Sequence, residues 1–219
     1  MPATTYDCLT QESRADGLAA AVDALRAGDL VVMPTDTVYG IGADAFNNAA
    51  VEKLLATKMR GPDMPVPVLV GSWSTIQGLV REFSDTAKTL VEAFWPGGLS
   101  IVVPEAPSLP WNLGDTRGTV LLRMPNQPLA IELLQQVGPM AVSSANISGH
   151  PPALNIGDAR QQFGSKVPVY LDGGDAAIGE PSTIVDISSG RPVILREGAI
   201  SAEQIGNVLD VDPASMRRK

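Results

Sequence analysis

Residues 30–42 read LVVMPTDTVYGIG and join an apolar stretch to a polar one. The apolar part, Leu30–Met33, predicts a buried strand, which Pro34 ends. The polar part places two threonine hydroxyls, a carboxylate and a phenol within five residues, and its two glycines permit close approach of a ligand or a backbone. Polar groups after a buried strand are typical of a binding loop, although the same residue types also form ordinary turns. The stretch therefore indicates a protein built around a sheet, with a candidate site at the end of this strand.

Helical and strand patterns alternate on both sides of this stretch. Apolar spacing predicts helices over residues 16–28, 49–58, 84–95, 128–137 and 201–209, and strands over residues 30–33, 66–70, 99–103, 119–123, 140–143, 167–171, 183–187 and 193–195. Pro67 favours an edge or a strand-start position for its strand. Because the last two strands follow each other without a helix, we expect a mixed α/β or α+β sheet. We expect one domain over 16–209, a flexible segment over 1–15 and a frayed tail over 210–219.

The composition of the 219 residues excludes several classes of protein. Apolar residues make up 44% and charged residues 18%, as in globular proteins with a packed core. The net charge of -8 argues against a protein whose main function is to bind the phosphate backbone of a nucleic acid. One cysteine, Cys8, and one histidine, His150, exclude an internal disulfide and a metal site built from several Cys or His. The chain shows no signal peptide and no long apolar span, so we expect a cytoplasmic protein without a membrane partner.

Four cations stand at the ends of predicted elements. Lys58 and Arg60 end the second predicted helix, and Arg123 and Arg196 each end an apolar strand. If the helix ends before Lys58, the first two cations lie on one side of the loop and suit a phosphate or carboxylate ligand. The alternatives are a helix C-terminus stabilised by basic residues and strand-end salt bridges within the protein.

A second polar loop, residues 143–149 with the sequence SSANISG, follows a short predicted strand. Its hydroxyls and amide can hydrogen-bond a nucleotide or a substrate, although the same residues also cap turns. The chain contains no Walker A loop, and we expect His150 to be a bystander rather than a general base. Hydroxyls and cations without a protein nucleophile favour anion and nucleotide handling by positioning and charge stabilisation.

Seven motifs in this order resemble the YrdC/TsaC family of threonylcarbamoyl-AMP synthases: PTDTVYGIGADA, K-x-R, FWPGGLSIVV, LLRMP, SSANISG, STIVD and ILREGAI. The resemblance covers residues 17–205 and implies a three-layer α/β fold whose twisted mixed sheet lines a large cavity. It implies a nucleotidyltransferase that joins L-threonine, bicarbonate and ATP into L-threonylcarbamoyladenylate and releases pyrophosphate. A separate transferase complex would receive the product and modify the adenosine next to the anticodon of tRNA to threonylcarbamoyladenosine.

The resemblance also implies roles for single residues. Lys58 and Arg60 would act as catalytic residues at the nucleotide phosphates. The predicted threonine-binding residues are Thr37, Arg123, Ser144 and Ser182, and the predicted nucleotide-binding residues are Lys58, Arg60, Thr119, Asn146 and Arg196. No metal ligand is implied in the protein, and Mg²⁺ would arrive with ATP. Direct binding of tRNA would be weak or absent.

Two positions depart from the family pattern. Many members carry Asn and His where this chain carries Met64 and Leu69, which leaves the outer wall of the threonine pocket undefined. The length of the chain resembles the short, single-domain form of the family. Two other functions stay open, namely a module that forms carbamoyl-adenylate and a protein that binds double-stranded RNA or tRNA without turnover.

Overall fold

The computed structural model describes residues 2–61 and 63–217, and its described strands form one mixed sheet. The strands are β1 (Thr4–Asp7), β2 (Val31–Met33), β3 (Gly40–Asp44), β4 (Val68–Leu69), β5 (Leu99–Pro104), β6 (Thr119–Arg123), β7 (Met140–Ser144), β8 (Val169–Asp172), β9 (Thr183–Asp186) and β10 (Val193–Arg196). Their order across the sheet is β1-β8-β2-β3-β7-β4-β6-β5-β9-β10. Four neighbouring pairs, β1–β8, β2–β8, β4–β6 and β5–β9, are parallel and the others are antiparallel. The predicted mixed sheet is confirmed.

Helices cover both faces of the sheet. They are α1 (Gln11–Arg26), α2 (Asn48–Thr57), α3 (Trp73–Ile76), α4 (Asp85–Phe94), α5 (Pro128–Val137), α6 (Ile156–Phe163) and α7 (Ala202–Leu209). Side chains of β2 alternate, so that Val31 and Met33 belong to the core cluster that includes α1 and α5, while Val32 belongs to the cluster that includes α2, α4, α6 and α7. The molecule therefore has three layers, and none of the described helices is long and apolar enough to cross a membrane.

Local signals fix several helix boundaries. Ser84 caps α4 by accepting a hydrogen bond from the Ala87 amide at 3.2 Å. Ser201 and Gln204 form a reciprocal capping box at the start of α7. The helices predicted over 84–95, 128–137 and 201–209 agree with α4, α5 and α7 to within one residue at each end.

Both terminal segments contain regular structure. Within the segment expected to be flexible, β1 pairs in parallel with β8, and α1 begins at Gln11 behind its Thr10 cap. At the other end Met216 is fully buried, and residue 217 forms a bridge with Ile194 of β10. Met1, Pro62, Arg218 and Lys219 lie outside the described residues.

Two strands differ from the sequence prediction for reasons of packing. Gly40 and Gly42 belong to β3, which the sequence assigned to the loop. Glycine is needed in this strand because a Cβ atom at Gly40 would lie 2.8 Å from the Val142 Cγ1 atom. The strand predicted over 66–70 is shorter in the structure, where β4 covers only Val68–Leu69. It lies inside the sheet between β7 and β6. Pro67 directly precedes β4, so the strand-start alternative is correct and the edge alternative is wrong.

Candidate active site

A cavity of about 350 Å³ opens on the face of the sheet that α1 and α5 cover in part. Leu69 and Val142 belong both to the core beneath these helices and to the cavity wall. Polar wall residues come from the loop after β2, the loop after α2, the start of β5, the ends of β6, β7 and β10, and the residue before β9. They include Thr35, Thr37, Arg60, Ser100, Arg123, Ser143, Ser144, Asn146, Ser182 and Arg196. The first motif, both strand-end arginines and the 143–149 loop therefore meet in one place.

Arg123 is held at the cavity wall by three acceptors. Its Nε donates to the Gly97 carbonyl at 2.9 Å, its Nη1 to the Thr37 hydroxyl at 2.8 Å and its Nη2 to the Asp36 carboxylate at 2.6 Å. The guanidinium has five N–H groups, so two are left for a ligand. The side chain is buried, which lowers the pKa of Arg123, while Asp36 opposes that shift.

The hydroxyls of Thr37 and Thr35 form a chain with a fixed direction. Their oxygens lie 3.0 Å apart, and the Thr35 hydroxyl also donates to the Val38 carbonyl at 2.6 Å. An arginine can only donate and a carbonyl can only accept, so the protons point from Arg123 through Thr37 and Thr35 to Val38. Thr37 therefore offers the cavity a lone pair, and its own proton is already used.

Lys58 and Arg60 lie beyond the end of α2 and contact the end of β7 and the turn that follows it. The Lys58 ammonium donates to the Ser144 carbonyl and, at 2.6 Å, to the Asn146 carbonyl. Arg60 donates to the Ser143 hydroxyl at 3.1 Å and to the Pro65 carbonyl at 3.0 Å. Burial, with a smaller effect of Arg60, lowers the pKa of Lys58 to about 8.

Arg196, Ser182 and Ser100 form the polar part of the cavity wall near β9. Arg196 donates to the Ser182 carbonyl at 2.8 Å and to the Ser182 hydroxyl at 3.2 Å. The Ser182 hydroxyl also lies 2.9 Å from that of Ser100. Burial lowers the pKa of Arg60 and of Arg123, and repulsion by Arg196 lowers both further, so Arg196 lies close enough to act on each of the other two guanidinium groups. Such a cavity suits a ligand with several negative charges.

A family model described as "Telomere recombination", with the name Sua5/YciO/YrdC, matches residues 23–198, which is most of the chain. The chain belongs to the Sua5/YciO/YrdC family.

Relatives in this family carry a consistent name. A Mycobacterium tuberculosis protein, provisionally named a threonylcarbamoyl-AMP synthase, is 60% identical over 212 residues, with 97% of this chain and 98% of the relative covered. The Bacillus subtilis threonylcarbamoyl-AMP synthase is 37% identical over 88% of this chain and 56% of its own length. A crystal structure of Pyrococcus abyssi Sua5 complexed with L-threonine matches with a TM-score of 0.90 and 32% identity over 96% of this chain and 63% of that one. This chain thus spans about three fifths of the two longer relatives.

The structure brings most of the predicted site residues to the cavity. Those in the wall are Thr37, Arg60, Arg123, Ser144, Asn146, Ser182 and Arg196. Leu69 also lies in the wall and gives it an apolar patch, whereas Met64 is exposed. Their roles toward particular substrates stay predictions.

Two predicted site residues lie elsewhere. Lys58 is buried behind the 144–146 turn and is not part of the wall. Thr119, at the other end of β6 from Arg123, donates its hydroxyl to the Thr116 carbonyl. Whether either residue contacts the nucleotide, as the resemblance implies, stays a prediction.

Three wall residues were not among the predicted site residues. Thr35, Ser100 and Ser143 face the cavity, and each stands one to two residues from a predicted site residue or at a strand start. Asp36 was noted only as part of its motif, because its partner Arg123 is far away in the chain. His150 is exposed, and its backbone carbonyl accepts a hydrogen bond from the side-chain Nδ2 atom of Asn146 at 2.8 Å.

Proposed function

We propose that this protein is an L-threonylcarbamoyladenylate synthase, a nucleotidyltransferase of tRNA modification. One observation carries the proposal: three guanidinium groups and a ring of hydroxyls line a single cavity, in a chain 60% identical to a relative that carries this name. The match to Sua5 complexed with L-threonine supports an amino acid as one ligand. A triphosphate and a carbamate are both anions, which explains why an acidic chain concentrates cations here.

In this proposal different residues of the wall bind the two substrates. Arg123 directs its two free N–H groups at the carboxylate of L-threonine, and Thr37 accepts from its amino group. Ser144 and Ser182 contribute further hydrogen bonds to the amino acid. The nucleotide contacts Arg60, Asn146 and Arg196.

The reaction needs no protein nucleophile. The amine of L-threonine attacks bicarbonate, water is lost, and a carbamate forms. A carbamate oxygen then attacks the α-phosphorus of ATP, and the bond to the β-phosphate breaks, so that pyrophosphate leaves with that electron pair. Arg60 and Arg196 stabilise the negative charge that develops on the phosphates.

The cavity wall, as far as it is described, contains no carboxylate. Mg²⁺ prefers oxygen ligands and usually binds through substrate phosphates, so we expect it to arrive with ATP and to be held mainly by phosphate oxygens. When bound it would neutralise phosphate charge. A transferase complex that accepts the adenylate is the expected partner, and the cytoplasm is the expected location.

Pyrophosphate release from ATP by the purified protein tests the proposed function. With Mg²⁺, we expect release only when L-threonine and bicarbonate are both present, and not with D-threonine or other amino acids. Release with carbamoyl phosphate in place of threonine would instead identify a carbamoyl-adenylate-forming module. A folded protein that releases no pyrophosphate on any of these substrates would contradict the proposal.

A further inference from the structure

A buried carboxylate stands directly behind Arg123. Asp36 is 7% exposed and forms an ion pair with Arg123 at 2.6 Å, where the arginine side chain is likewise buried. The same oxygen, Oδ1, accepts a hydrogen bond from the Asn126 amide at 3.0 Å. The backbone carbonyl of Asp36 accepts from the Ile178 amide at 2.9 Å. Asp36 therefore joins the first motif to the end of β6 and to the loop that follows β8.

Asp36 stands behind the cavity wall rather than in it. It does not form part of the cavity wall, whereas its neighbours Thr35 and Thr37 and its partner Arg123 do. Its second oxygen, Oδ2, is buried and has no hydrogen-bond partner among the described residues. A buried carboxylate with one free oxygen carries a desolvation cost. At that cost, Asp36 places a negative charge beside Arg123.

That charge counteracts the repulsion among the cations of the cavity. Arg196 repels the guanidinium of Arg123, and Asp36 attracts it. The three acceptors on Arg123 also fix the plane of its guanidinium, because each uses a different nitrogen. Without Asp36, the nitrogen Nη2 would lose its partner, and two contacts instead of three would hold the plane of the guanidinium.

We propose that Asp36 is a positioning residue that orients Arg123 toward the carboxylate of the amino-acid substrate. The proposal rests on the proposed function, in which Arg123 binds L-threonine. It assigns Asp36 to the amino-acid side of the cavity only, because its described contacts do not include Arg60 or Asn146.

The variant Asp36→Asn tests this assignment, since it preserves the shape and the Oδ1 acceptor but removes the charge. We expect the KM for L-threonine to rise about 10- to 100-fold, by analogy with the loss of a partner that orients a metal ligand. The KM for ATP should change less than about threefold, because Arg60 and Arg196 keep their contacts. The matched control is Asp186→Asn, at the end of β9 that lies away from Ser182. It replaces a carboxylate that accepts hydrogen bonds from the amide and the hydroxyl of Ser188, and it should alter neither KM.

A double-mutant cycle with Arg123→Gln separates positioning from general destabilisation. If Asp36 acts through Arg123, Asp36→Asn has no further effect on the KM for L-threonine in the Arg123→Gln background. An equal effect in both backgrounds, or equal rises in both KM values, would overturn the proposal. If Asp36→Asn does not fold, Asp36→Glu, which displaces the charge by one methylene, carries the same expectation. Wild-type pyrophosphate release that does not depend on L-threonine would refute the proposed function. If the wild type does depend on L-threonine and Asp36→Asn has the same KM for it, only the role of Asp36 is refuted.

Discussion

Lys58 shows how a single residue serves a site without lining it. Its ammonium donates to the carbonyls of Ser144 and Asn146, so it draws the 144–146 turn toward the end of α2. The Ser148 amide in turn donates to the Lys58 carbonyl at 3.0 Å. A neutral lysine retains two N–H groups and could satisfy both carbonyls, but it would contribute no positive charge beside Arg60.

The pH dependence of Lys58 is open to measurement. Burial lowers its pKa to about 8 from the usual 10.5, so in this interval the folded protein binds fewer protons than the unfolded chain. The contribution of this group to the free energy of unfolding therefore rises with pH from 8 to 10.5, while its charge is lost from the site. We predict that the ratio of kcat/KM for ATP of the wild type to that of Lys58→Arg falls as the pH rises through about 8, because arginine stays charged.

This comparison requires a ratio because the amine of L-threonine titrates in the same range for every variant. Steady-state rates between about pH 6.5 and 9.5 in buffers of constant ionic strength provide it. Lys53→Arg is the matched control, since Lys53 lies exposed on α2 in an ion pair with Asp29. A ratio for Lys58→Arg that stays flat across the whole range would show that the charge of Lys58 does not matter to the reaction.

At the scale of elements, the sequence predicts best where the signal is local. Helices α4, α5 and α7 carry their own caps or a first-turn proline, and their boundaries follow from a few neighbouring residues. The helix α6 was missed because its sequence, IGDARQQF, buries only Ala159 and Phe163. The strand β3 was missed because its glycines are required by Val142, about a hundred residues later in the chain.

The candidate site follows the same rule. The motif residues could be found because each group lies within a few residues of a strand end. Which of them share a wall depends on the strand order, which no local pattern gives. The sequence therefore does not show that Lys58 lies behind the wall or that Thr119 lies at the opposite end of β6 from Arg123. The pair Asp36 and Arg123 likewise forms only when β6 enters the sheet.

The packing of α1 on β1 provides a test of the ordered N-terminus. A Cβ atom at Gly17 would lie 2.8 Å from the Cys8 Sγ atom, 3.0 Å from the Tyr6 Cβ atom and 3.2 Å from the Leu171 Cδ2 atom. We predict that Gly17→Ala is less stable than the wild type, because an overpacking cost of about 1–3 kcal/mol exceeds the roughly 1 kcal/mol gained in helix propensity. Urea denaturation measures the difference in the free energy of unfolding.

Removal of the cysteine sulfur supplies the control for this prediction. Cys8→Ala takes away the atom nearest to the added methyl group, so the double variant should lose less stability than the two single changes added together. A Gly17→Ala protein as stable as the wild type would mean that residues 4–8 do not pack on α1 in solution.

For the whole molecule, charge and shape together decide which ligands reach the cavity. The chain carries a net charge of -8, yet Arg60, Arg123 and Arg196 line a single concave site. A small anion can enter the cavity and meet all three cations, whereas a polyanion must also approach the acidic remainder of the surface. The arrangement therefore favours ATP and a carbamate over a nucleic-acid duplex.

This contrast predicts weak binding of tRNA. Backbone contacts give affinity only through many cations, and each contact makes the affinity more dependent on salt. We expect no saturable binding of a fluorescently labelled tRNA at about 150 mM monovalent salt, measured by anisotropy, because the net charge repels the backbone and the site is too small to hold a duplex. Any binding at low salt should be insensitive to Arg60→Gln and to saturating ATP, since it would occur outside the cavity. Tight binding that persists at about 150 mM salt and is displaced by ATP would place RNA in the cavity and favour the RNA-binding alternative over the synthase.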